Sequence, residues 1–126
     1  MQYSFKNEMD VDGILIGNEK PCYIIAEIGI NHNGDIALAK KLIDVATNAG
    51  ADAVKFQKRN LESIYQQKIL ENPSLDSQGT EILIDVLNNV EFGEDDFQEI
   101  VNYCKERNIT FLCTPWDIPS VDFLEK

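Results

Sequence analysis

Apolar and polar positions follow two different periods along this chain. Near the start, Gly13 and Gly17 enclose the short apolar stretch Ile14-Leu15-Ile16. A polar turn covers residues 18–20, and Pro21 then precedes the run Cys22-Tyr23-Ile24-Ile25-Ala26-Glu27-Ile28. Two apolar runs joined by a short polar turn predict a hairpin or adjacent strands. The loop 29–34 is polar, and Asp35 is placed to cap a helix. That helix carries Leu38, Leu42, Val45 and Ala49 on one stripe, flanked by Ala39, Ile43 and Ala46. Gly50 stands where a left-handed C-terminal cap belongs.

A second strand follows at once, Asp52-Ala53-Val54-Lys55-Phe56-Gln57. Residues 58–78 are polar, contain Pro73 and a serine-bearing tail, and predict at most a short helix over 64–71. This stretch leaves the strand at its carboxyl end, so a mobile partial lid is expected there. Leu83, Val86, Leu87 and Val90 mark a helix over 81–89, and Phe97, Ile100, Val101 and Cys104 mark another over 94–107. Asp95 and Asp96 suit the first turn of the latter, where the helix dipole favours anions. A third strand, Ile109 to Thr114, and the start of a further helix over 117–126 complete the chain.

The order β-α-β-insertion-α-β-α predicts right-handed crossovers and a parallel α/β sheet. Three βα units are too few to close an eight-stranded barrel, which takes about 250 residues. The choice is a small open sheet or the first part of a longer barrel. The absence of a cap or final strand at Lys126 favours a fragment.

Ligands of parallel α/β folds bind beyond the carboxyl ends of the strands. Period-two alternation puts Ala53, Lys55 and Gln57 on one face, Val54 and Phe56 on the other. Likewise Thr110, Leu112 and Thr114 share a face opposite Phe111 and Cys113, and Glu27 aligns with Ile25 and Gly29. A carboxylate, an ammonium, an amide and a hydroxyl thus converge on one spot. A lysine buried mid-strand is costly unless paired. Lys55 is therefore expected either to pair with Glu27 or to meet an anionic ligand. The loop Gly29-Ile30-Asn31-His32-Asn33-Gly34 reads as a turn with positive φ, or as an anion-holding nest before a helix. It has neither of the nucleotide-binding glycine spacings.

Composition narrows the picture. The 126 residues are 44% hydrophobic and 26% charged, an ordinary globular mixture. With 22 acidic and 11 basic residues the formal charge is −11, which disfavours nucleic acid as a partner. No apolar run approaches the roughly 20 residues that span a bilayer, and residues 1–10 do not resemble a secretory signal. No membrane partner is expected, and a cytoplasmic setting is. Cys22, Cys104 and Cys113 lack any C-x-x-C spacing and are expected to be reduced packing residues. One histidine, His32, cannot build a multi-histidine metal site.

The run Ile24-Ile25-Ala26-Glu27-Ile28-Gly29-Ile30-Asn31-His32-Asn33-Gly34 closely resembles the first βα unit of the sialic acid synthase family. That family includes N-acetylneuraminate, legionaminate and pseudaminate synthases and spore-coat polysaccharide relatives. Asn48-Ala49-Gly50-Ala51-Asp52-Ala53-Val54-Lys55-Phe56-Gln57 continues the match, and Phe111-Leu112-Cys113-Thr114-Pro115 is similar to the third strand. The resemblance implies the N-terminal portion of a (β/α)8 TIM barrel. Residues 1–20 would be a hairpin cap and residues 21–126 the first βα units. It also implies a small antifreeze-like domain elsewhere and a domain-swapped homodimer in full-length form. The implied activity condenses phosphoenolpyruvate with an N-acetylmannosamine-like sugar to a nine-carbon 2-keto acid. In full-length relatives a divalent metal, manganese or magnesium, assists as a Lewis acid.

Carried over by position, Lys55 and Thr114 match contacts to phosphoenolpyruvate. Gln57 matches the sugar side of the site, and Glu27 is the catalytic candidate, orienting a hydroxyl or water or handling a proton. Asn31 and His32 complete the substrate-binding candidates. The metal-ligating histidines have no counterpart in this chain, so it is not expected to bind metal tightly or turn over by itself. Two other readings stand: a non-catalytic sugar- or phosphate-binding fragment on the same scaffold, and a related synthase acting on a shorter sugar phosphate.

Overall fold

A computed structural model of the chain describes residues 7–72, 74 and 80–126. Its elements are β1 (Glu8–Val11), β2 (Ile14–Gly17), β3 (Ile25–Gly29), α1 (Ile36–Asn48), β4 (Ala53–Lys58), α2 (Leu61–Ile64), α3 (Gln67–Glu71), α4 (Thr80–Val90), α5 (Glu94–Glu106), β5 (Thr110–Pro115) and α6 (Ile118–Leu124). Strands β3, β4 and β5 form a parallel sheet in that order, as the alternation predicts. Part of the expected lid, residues 73 and 75–78, lies outside the described residues.

A hairpin forms near the N-terminus, as expected, but it does not join the Ile14-Leu15-Ile16 stretch to the run that follows Pro21. β2 pairs antiparallel with β1 upstream, Met9 opposite Ile16, and not with the run from Cys22. The turn is Asp12-Gly13, both at positive φ (52° and 82°). That is the Asp-Gly hairpin signal, whose left-handed pair matches the twist of the strands. Residues 21–24 are not part of β3; they run into it, and Asp52 clamps them by accepting from the Ile24 amide at 2.6 Å.

The sheet's helical face carries the core. Val54 and Phe56 are fully buried, and Ile28, Phe97, Ile100, Cys104 and Ile109 pack in the same cluster. Two stripes differ from expectation. On α1 the buried residues are Ala39, Ile43 and Ala46, while Val45 is 66% exposed. Both sets have helical spacing; the alanine set faces the sheet because small side chains let the helix approach it closely. On α4, Ile84, Leu87 and Val90 are buried, whereas Leu83 and Val86 stay exposed. Helix α5 buries Phe97, Ile100 and Cys104 as expected, and Asp96 accepts from the Gly93 amide at its start. Asp35 caps α1 by accepting from the Ala37 and Leu38 amides, and Gly50 follows it at φ +82°.

Cys22 is exposed, contrary to the expectation of three packing cysteines; Cys104 is buried and Cys113 half-buried. Burial pushes the Cys104 thiol up to about 11 and, with the nearby Glu91 charge adding, the Cys113 thiol up to about 12. Thiolates are the reactive form. Maleimide labelling of the native protein at pH 7.5 should therefore modify Cys22 and spare Cys104 and Cys113, as peptide mapping would read. Equal labelling of all three would contradict this packing.

Candidate active site

The face opposite the core is the open one. Register places Glu27 beside Lys55 and Lys55 beside Leu112, with Gln57 beside Thr114 one step further along. Lys55 Nζ lies 2.9 Å from Glu27 Oε2, and the two side chains are 36% and 46% exposed. The lysine is thus paired without being deeply buried, because this face has no facing layer among the described residues. Ile25 on the same face is 44% exposed. A pair this exposed contributes only about 0–1 kcal/mol to stability. Its arrangement is therefore of more interest for binding than for folding.

A bulge in β3 shapes the site. Glu27 pairs with Lys55, but Gly29 falls opposite Phe56, so the register shifts between them. Gly29 sits at φ +58°. A Cβ there would lie 3.3 Å from the Gln57 amide nitrogen and 3.4 Å from Glu27 Oε1. Glycine at this position keeps the space beside both groups clear and permits the left-handed turn. Gln57 Nε2 donates to Glu27 Oε1 at 3.4 Å.

The neighbouring residues at the carboxyl end of β4 form a second cluster that sequence reading missed. Glu91 accepts from Lys58 Nζ at 3.3 Å, from the Arg59 amide at 3.2 Å and from Arg59 Nη1 at 3.5 Å. Lys58 also donates to the Phe92 carbonyl at 2.9 Å. Arg59 Nη2 donates to Gln57 Oε1, and the guanidinium carbon lies 4.5 Å from the centre of the Trp116 ring. The ends of β4 and β5 are tied by Trp116 N to the Lys58 carbonyl and by Asn60 N to Asp117 Oδ2. The one local hint is that Glu91 stands between Val90 and Phe92; nothing in the sequence names its partners.

The loop candidates separate. Asn31 is exposed, and its side-chain amide donates to the Ile28 carbonyl, so it closes the turn. His32 is only 2% exposed and stacks on Phe92 with ring centroids 4.0 Å apart. Its Nδ1 accepts from the Gly34 amide at 3.2 Å. The structure therefore places His32 within the core and not on the face carrying Lys55. Burial lowers the imidazole pKa, with the Gly29 carbonyl opposing the shift. The neutral ring is the one the fold accommodates. Since the unfolded chain protonates near pH 6.5 and the folded one lower, the stabilisation is complete above pH 6.5 and is lost as pH falls through the folded pKa. The stability advantage of wild type over His32→Phe should shrink over that interval; an advantage that grows on acidification would contradict it.

Among the described residues no group of three or more His, Cys, Asp or Glu is placed to hold a metal ion. No helix among them is long and apolar enough to cross a membrane. The NeuB family model matches residues 42–126, more than half of the chain.

The chain belongs to the NeuB family.

Its relatives include proteins named as synthases of N-acetylneuraminate-9-phosphate and of legionaminic acid. It is 40% identical over 116 residues to the N-acetylneuraminate-9-phosphate synthase of Mus musculus, covering 90% of this chain and 32% of the relative. It is 38% identical over 109 residues to the N,N'-diacetyllegionaminic acid synthase of Campylobacter jejuni, covering 85% and 33%. Among solved structures, the N-acetylneuraminic acid synthetase of Leptospira borgpetersenii in complex with citrate superimposes with a TM-score of 0.77 at 33% identity. That match covers 94% of this chain and 37% of the synthetase. The hairpin and parallel βα units thus correspond to the N-terminal part of a NeuB-family synthase. The chain spans about a third of the length of the curated relatives it matches.

Proposed function

We propose that this chain supplies part of the active site of a synthase that condenses phosphoenolpyruvate with an N-acetylmannosamine-like sugar, giving a nine-carbon 2-keto acid. The observation that carries the proposal is the Glu27–Lys55 pair at 2.9 Å on the open face, with Gln57 and Thr114 beside it. A single ammonium beside an acceptor, an amide and a hydroxyl suits a small anionic donor and a polyhydroxyl acceptor.

In the proposed reaction, C3 of phosphoenolpyruvate forms a bond to the aldehyde carbon of the open-chain sugar, and the aldehyde oxygen takes a proton. Water adds at C2 and gives up its protons as the C2–O bond to phosphate breaks. A C2 carbonyl remains and inorganic phosphate leaves. Lys55 holds the negative charge of the donor as a point cation. The Thr114 hydroxyl donates to the same substrate. Gln57 presents an amide N–H to the acceptor side. Glu27 is the group at hand to accept a proton. These residues do not by themselves make a metal cage. The divalent ion is proposed to be held by residues outside those described. The proposed setting is the cytoplasm, with the whole protein a homodimer.

Incubating the whole protein with phosphoenolpyruvate, N-acetylmannosamine and manganese tests the proposal. A 2-keto acid of nine carbons and equimolar phosphate are expected. Release of phosphate only with a shorter sugar phosphate, or binding of the sugar without any turnover, would overturn it.

A further inference from the structure

We propose that Arg59 is a positioning residue that locks the orientation of the Gln57 amide and thereby holds the Glu27 carboxylate. The proposal rests on the synthase reading of the same face and extends it to a residue outside the Glu27–Lys55–Gln57–Thr114 set.

A guanidinium can only donate hydrogen bonds, and an ionised carboxylate can only accept them. Gln57 lies between the two. Its Oε1 accepts from Arg59 Nη2 and its Nε2 donates to Glu27 Oε1 at 3.4 Å. The flipped amide would set donor against donor at Arg59 and acceptor against acceptor at Glu27. One orientation is therefore enforced. The chain of contacts ends at Lys55, which holds the other oxygen of Glu27 at 2.9 Å.

Arg59 can enforce this because it is itself fixed. It is 9% exposed. Glu91 accepts from its main-chain amide at 3.2 Å and from Nη1 at 3.5 Å. The guanidinium lies over Trp116, 4.5 Å from the ring centre. A carboxylate on one side and an aromatic face on the other hold the planar fork in place. Lysine, a point charge on a flexible stem, has no such fork. Lys58 neutralises the remaining charge of Glu91 and anchors it to the Phe92 carbonyl.

The test compares Arg59→Ala, Arg59→Lys, Gln57→Ala and the double Arg59→Ala/Gln57→Ala variant in the whole protein. Because a misplaced reacting group costs on the order of 10²-fold, Arg59→Ala should lower kcat by about that factor. KM for phosphoenolpyruvate should stay near the wild-type value, since Lys55 is untouched. Arg59→Lys should not rescue. The double variant should be no slower than Gln57→Ala, because both changes remove one linkage. Additive losses, rescue by lysine, or a raised KM with kcat unchanged would overturn the proposal.

A second readout needs no turnover. The Gln57 side-chain amide protons, assigned by their loss in Gln57→Ala, should exchange slowly with solvent in wild type and faster in Arg59→Lys and in Glu91→Gln. Unchanged exchange overturns the role of Arg59 even in an active enzyme. A wild type that makes no keto acid yet shows the protected amide overturns the synthase reading and leaves the Arg59 linkage standing.

Discussion

Lys55→Ala in the whole protein is expected to lower kcat/KM for phosphoenolpyruvate by about 10²-fold or more, with little change in stability. The magnitude follows from removing a preorganised charge aimed at a substrate anion, an effect of about 3–4 kcal/mol in comparable sites. The small effect on stability follows from exposure. Lys55 and Glu27 are 36% and 46% exposed, so their pairing contributes about 0–1 kcal/mol to folding. Loss of activity with an unchanged melting midpoint would separate binding from unfolding. Arginine should restore little, because its fork does not reproduce a compact ammonium. Steady-state kinetics with phosphoenolpyruvate as the varied substrate check this, and unchanged kinetics would remove Lys55 from the site.

Gly34→Ala is expected to have the largest effect on stability. Gly34 sits at φ +73°, and a Cβ there would run into the Asn89 carbonyl oxygen. A left-handed alanine costs about 1–2 kcal/mol, and forcing apart packed backbone adds about 1–3 kcal/mol. The sum is comparable to a good part of the net stability of a domain, about 5–15 kcal/mol. Gly50→Ala provides the comparison. Gly50 has φ +82°, but nothing lies within 4 Å of the added carbon. It should lose only the conformational part, about 1–2 kcal/mol. Urea denaturation of both variants reads the difference; equal losses would show that the loop and the end of α4 do not pack as described.

The central strand was the most legible part of the chain. Lys55 and Gln57 interrupt an otherwise apolar run at period two, so their shared face follows from the pleat alone. For Lys55 the charge argument leaves two outcomes, pairing with Glu27 or meeting an anionic ligand, and the structure shows the pair. The Gln57 contact to Glu27 has no signal in the sequence. The stripes on α1 and α4 were harder. Leu38, Leu42 and Val45 satisfy helical spacing as well as Ala39, Ile43 and Ala46 do, and large side chains draw the eye. What decides is how near the helix must come to the sheet, which no local pattern records. The hairpin partner was recoverable from Asp12-Gly13, a signal outweighed by the stronger apolar run after Pro21. The Arg59–Glu91 contact was not legible, because its members lie 32 residues apart and meet only after α4 folds back. For His32 the sequence offers only a polar residue in a glycine-bearing loop; that its flat ring fills the space against Phe92 depends on packing that no local pattern records.

On the proposed function, the small anion phosphoenolpyruvate sits against the open face at the carboxyl ends of β3, β4 and β5. A crystal structure of the whole protein with phosphoenolpyruvate bound tests it most directly. A phosphate or carboxylate oxygen of the ligand is expected within hydrogen-bonding distance of Lys55 Nζ, with Thr114 alongside. A ligand seated at the opposite end of the strands, beneath the β1–β2 hairpin, would contradict it.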